Sequence, residues 1–497
     1  MTANDGRAIV LMVAIASTVL GGHLLLISSL ASPLPFWDQW DAEARSLYVP
    51  YLNGTLTTNH LFASHNEHRI VFTRLLALLH LELAGEWNTR LEMILGTVVH
   101  AGVVVLLASQ LMPLVARAKR LLLAAFMALL FALPIGYENT LWGFQSQFYF
   151  VALFGLSAVV CFSKARAFDA RWFTGTTLSV MSYFSFSSGT ATILVAAVLA
   201  LLQLFAGVRE RNVREIVAIT VMIAVGIGMM MGVARSVSQA PFEIFDFIQG
   251  FVALAALPLV TVIGLAFVQG PGIWLALHTL ATKPPLGSQL WVAVGTLGWI
   301  ASQLLLFAYG RGTVMGLRYL DIAILAYPIG LVAVLILADR WRNGRQAGHV
   351  PRIAVAWVFV MVALLAVLAN YSSLRGAMEW KEARTLETAS VAAHLAGDDS
   401  ASLAPLPYPN AQRLYDVLAI PEIRAILPPD IRPADADVEA VHQRMMLKGA
   451  LAGPTAQAVQ LLLLISPAFI ALALALFFAV ATQTAIGTRG PADNNLQ

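Results

Sequence analysis

The chain is 497 residues long, 59% hydrophobic and only 12% charged, with a formal net charge of +3. Soluble domains carry roughly 25% charged residues, so a soluble enzyme is excluded, and with no basic stripe nucleic acid is not an expected partner. Cys161 is the single cysteine, so no disulfide can form within the chain.

Apolar runs of about 20 residues recur along the whole length, each long enough to cross a hydrocarbon core of roughly 30 Å. Backbone amides find no water in lipid, so such runs must be helices; the short alternating segments of a β-barrel are not seen. The sequence therefore predicts an all-α polytopic membrane protein of about twelve transmembrane helices. They are placed at 8–30, 91–114, 121–136, 147–163, 172–187, 190–207, 216–234, 250–269, 289–309, 320–338, 352–370 and 458–482. The first lacks a cleavage site and is expected to be retained; the fifth is rich in Ser and Thr.

Basic residues set the orientation. One set of short loops holds Arg117, Lys119, Arg120, Lys164, Arg166, Arg171, Arg209, Arg211, Arg214, Lys283, Arg340, Arg342 and Arg345, the opposite set only Arg235, Arg311 and Arg318. The positive-inside rule then puts both termini in the cytoplasm. Two long segments fall outside: 31–90, with interfacial helices expected over 41–52 and 69–84, and 371–457, a small cap rich in Ala, Pro and Asp. The chain thus divides into a transmembrane module over 1–370, which includes external loop 31–90, a periplasmic segment over 371–457, and a last helix with cytoplasmic tail over 458–497.

Polar residues gather on the external side. Asp38, Asp41 and Glu43 follow the first helix, between and beyond Trp37 and Trp40. Asp38 and Asp41 share a helix face at their spacing, which suits a divalent cation (Mg2+ or Mn2+), a general base, or simply a helix N-terminus. His65, Glu67, His68 and Arg69 come next. Zinc would need a third ligand of recognisable spacing; a phosphate or sugar hydroxyl held by His65, His68 and Arg69 fits better, beside the plain alternative of a solvated helix start. The loop 136–147 holds Glu138, Asn139, Trp142, Gln145 and Gln147, aromatics beside amides and a carboxylate, as in a sugar-binding wall or an aromatic belt. The hydroxyl-rich turn from Tyr183 to Thr190 allows a close backbone approach at Gly189. Last, Arg311, Arg318 and Tyr319 flank Gly310, Gly312 and Gly316 on the side that otherwise avoids arginine, which asks for an anionic partner: a lipid phosphate, or Asp321.

With these motifs the chain resembles the GT-C class of integral-membrane glycosyltransferases. The run Phe36 to Glu43 matches that class's acidic motif after helix one, Glu138 its second acidic position, and Arg318 with Tyr319 its late arginine–aromatic motif. His65 to Arg69 and Glu138 to Gln145 look like stretches of uncharacterised bacterial members. The resemblance implies inverting transfer of a sugar from a polyprenyl-phosphate donor to a glycan or glycolipid acceptor at the periplasmic face of a bacterial inner membrane. Asp38 or Asp41 is the expected base, Glu138 orients the acceptor or completes a metal site with Asp38, and Arg311 and Arg318 receive the phosphate. His65, Glu67, His68, Arg69, Trp142, Gln145 and Tyr319 complete the expected binding set. The alternatives are a polysaccharide polymerase or ligase, which would use Arg375, Arg384, His394, Arg413 or His442, and a flippase for lipid-linked sugars, which would need a polar track through the bilayer.

Overall fold

Long runs of Leu, Val, Ala and Ile bounded by capping residues build every major element. Asn88, Asp169, Thr261 and Ser288 each accept a backbone N–H of the first turn that follows them, satisfying groups that lipid would leave bare. The computed structural model describes residues 3–234, 242–314, 316–342, 350–398, 403 and 410–487; Arg235 and Arg345, used above to set orientation, lie outside them. Among the described residues there are helices and no strands, and eleven helices are long and apolar enough to cross a membrane. The protein is an all-α polytopic membrane protein.

The span Leu317–Arg340 lies at the centre, with 89% of its most apolar stretch buried, whereas Ser466–Gln483 is peripheral at 17%. Helix Ala3–Leu30 packs against Thr89–Leu111, Arg120–Ala132 and Ser466–Gly487.

Four expected spans differ from what forms. The fifth becomes Ala170–Tyr183, of 14 residues. At about 1.5 Å per residue it is shorter than the other spans, and its Thr174, Thr176 and Ser179 hydroxyls donate to carbonyls one turn back. The expected 250–269 breaks into Ile244–Ala255 and Val262–Thr282, because Pro258 has no N–H to continue the ladder and Thr261 caps the second piece. The expected 352–370 continues as one rod over Arg352–Leu395, so the polar stretch after residue 370 is helix rather than loop. The expected 458–482 is interrupted at Ile465, between Ala452–Leu464 and Ser466–Gly487, where Pro467 opens the second helix.

The two long segments share one core. Gln39–Tyr48, wound as a π-helix, and Val71–Ala84 pack against Arg375–Leu395, Ala411–Leu418 and Pro421–Ile426, with Tyr48, Leu81 and Trp87 buried beside Val391, Val417 and Ile426. Polar ties fasten the assembly: Arg413 to Asp41 at 2.6 Å, Arg432 to Glu86 at 3.0 Å, and His442 Nε2 to the Gly85 carbonyl at 2.8 Å.

Candidate functional site

Five segments meet at one end of the bundle. The first carries Asp38. Arg384 donates to the Leu34 and Pro35 carbonyls at 3.2 and 3.0 Å, and its guanidinium lies 4.3 Å from the Phe36 ring centroid. Trp37 then takes a positive φ of 44°, and the Phe36 N–H donates to Gln39 Oε1 at 3.0 Å. The turn leaves the Asp38 side chain 37% exposed, with Oδ1 3.5 Å from His65 Nε2.

The second segment is a tight turn rather than the start of a helix. His65 and His68 exchange backbone hydrogen bonds of 2.8 and 2.9 Å, with Asn66 left-handed at φ 51°. Asn tolerates that conformation better than other side-chain-bearing residues. The helix begins only at Val71. His68 is buried, stacked on Phe186 at 3.8 Å; Nδ1 lies 2.8 Å from Ser187 Oγ and Nε2 3.4 Å from Glu67 Oε1. Burial, with the charges of Arg311, His65 and Arg318 added, pushes the imidazole well below its ordinary pKa, so it is neutral.

The third segment presents Arg311, which donates to Glu67 Oε1 at 3.0 Å and to the Tyr319 hydroxyl at 3.1 Å. The fourth is the turn at Arg318. Its N–H donates to Glu138 Oε2 at 3.3 Å, its guanidinium stands 4.0 Å from the same oxygen, and its carbonyl accepts from Asn139 at 2.7 Å. Arg318 is therefore tied to Glu138; Asp321 is held by Asn139 and Tyr149 at 2.9 and 3.1 Å. The fifth is Tyr183 to Thr190, where the close approach expected at Gly189 is present: a Cβ there would collide with the Ser182 carbonyl.

The remaining expected residues sit further from this centre. Asp41 pairs with Arg413 of the cap. Asp38 and Asp41 therefore do not form a joint oxygen donor set, and among the described residues no group of three or more His, Cys, Asp or Glu side chains is arranged to hold a metal ion. Arg69 donates to the Tyr183 hydroxyl and to the Phe62 and Gly232 carbonyls, tying loops together. Trp142 and Gln145 are 3% and 2% exposed; Trp142 supports the wall from beneath, edge-on to Phe36 at 5.0 Å and to Trp37 at 6.3 Å.

One cavity lies in the site and a second lies deeper in the bundle. The first, of about 200 Å3, is lined by Glu67, His68, Ser187, Phe307, Arg311 and Tyr319. The other, of about 400 Å3, is almost wholly apolar and lies between Ala191–Phe205, Ile244–Ala255, Val262–Thr282 and Gln289–Arg311. Both are walled by helix Gln289–Arg311. No known family matches the chain. No curated protein and no solved structure matches it either.

Sequence reasoning missed three features. Ser187 was visible only as part of a hydroxyl-rich turn. Glu43 and Glu92, each 1% exposed, both accept from Gln39 Nε2, at 3.1 and 2.9 Å, so one amide bridges two buried carboxyls. Inside the bundle, Thr140 bonds His23 at 3.0 Å, and His100 stacks on Tyr149 at 4.5 Å. These residues lie far apart in sequence, and no spacing announces them.

Proposed function

We propose that the chain is a membrane glycosyltransferase that moves a sugar from a polyprenyl-phosphate donor to a glycan or glycolipid acceptor at the periplasmic face of a bacterial inner membrane. The observation that carries this reading is that one end of the bundle presents a partly exposed carboxylate, Asp38, and two arginines, Arg311 and Arg318, around a cavity of about 200 Å3, with a deeper apolar cavity along the same helix Gln289–Arg311. In this reading the Asp38 carboxylate takes the proton of an acceptor hydroxyl as its oxygen attacks the anomeric carbon. The bond from that carbon to the phosphate oxygen breaks with inversion, and the lipid phosphate leaves carrying its charge. A phosphate leaving group needs positive charge rather than a proton, and the arginines supply it. The apolar cavity would receive the lipid chain.

The polymerase or ligase alternative loses support. Arg384 and Arg413 hold the Asp38 segment, Arg375 pairs with Glu379, His442 bonds Gly85, and His394 packs on Tyr415. The flippase alternative gains the buried chain His23, Thr140, Tyr149 and Asp321, which reaches into the bundle.

Transfer from radiolabelled polyprenyl-phosphate sugars to cell-envelope acceptors tests the reading. Asp38→Asn and Arg318→Ala should each lower transfer by at least about a hundredfold, the span of a general-base contribution. Asp41→Asn should leave it near wild type, because that carboxylate serves the cap through an exposed pair worth about 0.2–1 kcal/mol. Full transfer by Asp38→Asn would reject the mechanism. Movement of lipid-linked sugar across proteoliposomes without transfer would favour the flippase.

A further inference from the structure

Ser187, His68 and Glu67 all line the 200 Å3 cavity. With the imidazole proton on Nε2, Nδ1 is left to accept the Ser187 O–H at 2.8 Å, and the Glu67 carboxylate lies 3.4 Å from Nε2. A hydroxyl bonded to a base that is itself oriented by a third group is the arrangement of an activated nucleophile. Each member is fixed from outside. Glu67 is held by Arg311 at 3.0 Å, His68 lies flat on Phe186, and Ser187 opens the short turn that runs into helix Ala191–Phe205.

Location indicates the substrate. Ser187 begins the candidate span Ser187–Phe205, the level at which hydrocarbon gives way to headgroup and at which the ester carbonyls of glycerolipids lie. The cavity joins these polar groups to Met230, Leu306 and Phe307, a lining suited to an acyl chain. We propose that Ser187, His68 and Glu67 form a serine acyltransferase or esterase site for a long-chain lipid ester, a chemistry separate from that of Asp38 although Arg311 borders both. Ser187 Oγ attacks the ester carbonyl carbon while its proton passes to His68 Nδ1. The ester C–O bond breaks, the departing alcohol oxygen takes that proton, and the acyl group remains on Ser187. Water or a second hydroxyl then gives its proton to His68 and attacks the acyl carbon, and Ser187 leaves with the proton restored. Glu67 opposes the charge of the transient imidazolium, and Arg311 is the positive charge available to the oxyanion.

The test is labelling of the full chain in lipid nanodiscs with a fluorescent fluorophosphonate, which forms a Ser–O–P bond and releases fluoride. Peptide mass spectrometry of the labelled wild type should place the adduct on Ser187. Labelling should vanish in Ser187→Ala, fall at least about tenfold in His68→Gln, the low end of general-base contributions, and stay unchanged in Ser109→Ala. Thermal unfolding of each variant checks the fold; should His68→Gln unfold, Glu67→Gln takes its place and should show the same fall. An adduct on another serine, labelling retained by Ser187→Ala, or labelling no greater than in heat-unfolded protein would overturn the proposal. None of these readouts depends on sugar transfer.

Discussion

Glu43 lies close behind Asp38 in the chain, yet its carboxyl is buried with Gln39, Trp87, Tyr48 and Glu92 around it. No lysine or arginine among the described residues pairs with it, and one of its oxygens has no partner. Two carboxyls bridged by one amide and cut off from water resist ionising together, and burial raises the Glu43 pKa above the ordinary glutamate range. The folded state thus holds a proton that the unfolded chain releases near pH 4.3, roughly the free glutamate value. A group with a raised folded pKa contributes stability that is complete below the unfolded value and is lost as pH rises through the folded one. Because Gln39 links this pair to the Phe36 N–H, the same proton steadies the turn that presents Asp38. Between about pH 5 and about pH 9 the thermal midpoint of the wild type should therefore fall more steeply than that of Glu43→Gln, whose amide stays neutral. Parallel curves for the two proteins would show that Glu43 carries no such proton in the fold.

Among the elements, regular helices could be read from hydrophobic length, and the irregular connections could not. Val71–Ala84 follows from its apolar run, and Glu138 and Arg318 could be assigned to one end of the bundle from loop charge, but the bond between them depends on Gly316, whose missing Cβ leaves room for the Glu138 carboxylate 3.2 Å away. The turn at His65 to His68 could not be read, because backbone pairing across it is invisible to periodicity. Asp41 was paired with Asp38 on the strength of helical spacing, whereas a residue of the distant cap, Arg413, takes it. The turn that carries Ser187 rests on Gly189 packing against the Ser182 carbonyl. Gly189→Ala should therefore overpack that contact and destabilise the protein by about 1–3 kcal/mol, read as a lower midpoint of unfolding. It should also displace Ser187 from His68 and reduce fluorophosphonate labelling; an unchanged midpoint would mean that the turn relaxes freely.

The whole molecule poses a question of parity. Eleven long spans taken alone would place the termini on opposite sides of the membrane, while the sequence pattern asks for the same side. The packing of the first and last helices answers it at the level of the bundle. Ile470 and Phe469 touch Gly21, while Leu462 and Leu463 join the cluster around Leu24 and Ile27, so Ser466–Gly487 runs antiparallel to Ala3–Leu30 and finishes where that helix starts. The missing pass is Ala170–Tyr183. Tyr183 meets Arg69 at the site end, whereas Trp172 packs on Phe168 at the far end, near Lys164. Despite its fourteen residues it carries the chain back across the bundle, with its hydroxyls bonded internally where a longer apolar helix would face lipid. Both termini should therefore lie on one side, and the positive-inside rule predicts that the arginine-rich loops put that side in the cytoplasm. Fusing a reporter that is active only outside the cytoplasm to either end should give no signal. The same reporter placed after residue 54, at the exposed Gly54 turn of the first long segment, should be active. A signal from the C-terminal fusion alone would mean that Ala170–Tyr183 does not cross and that the count is odd.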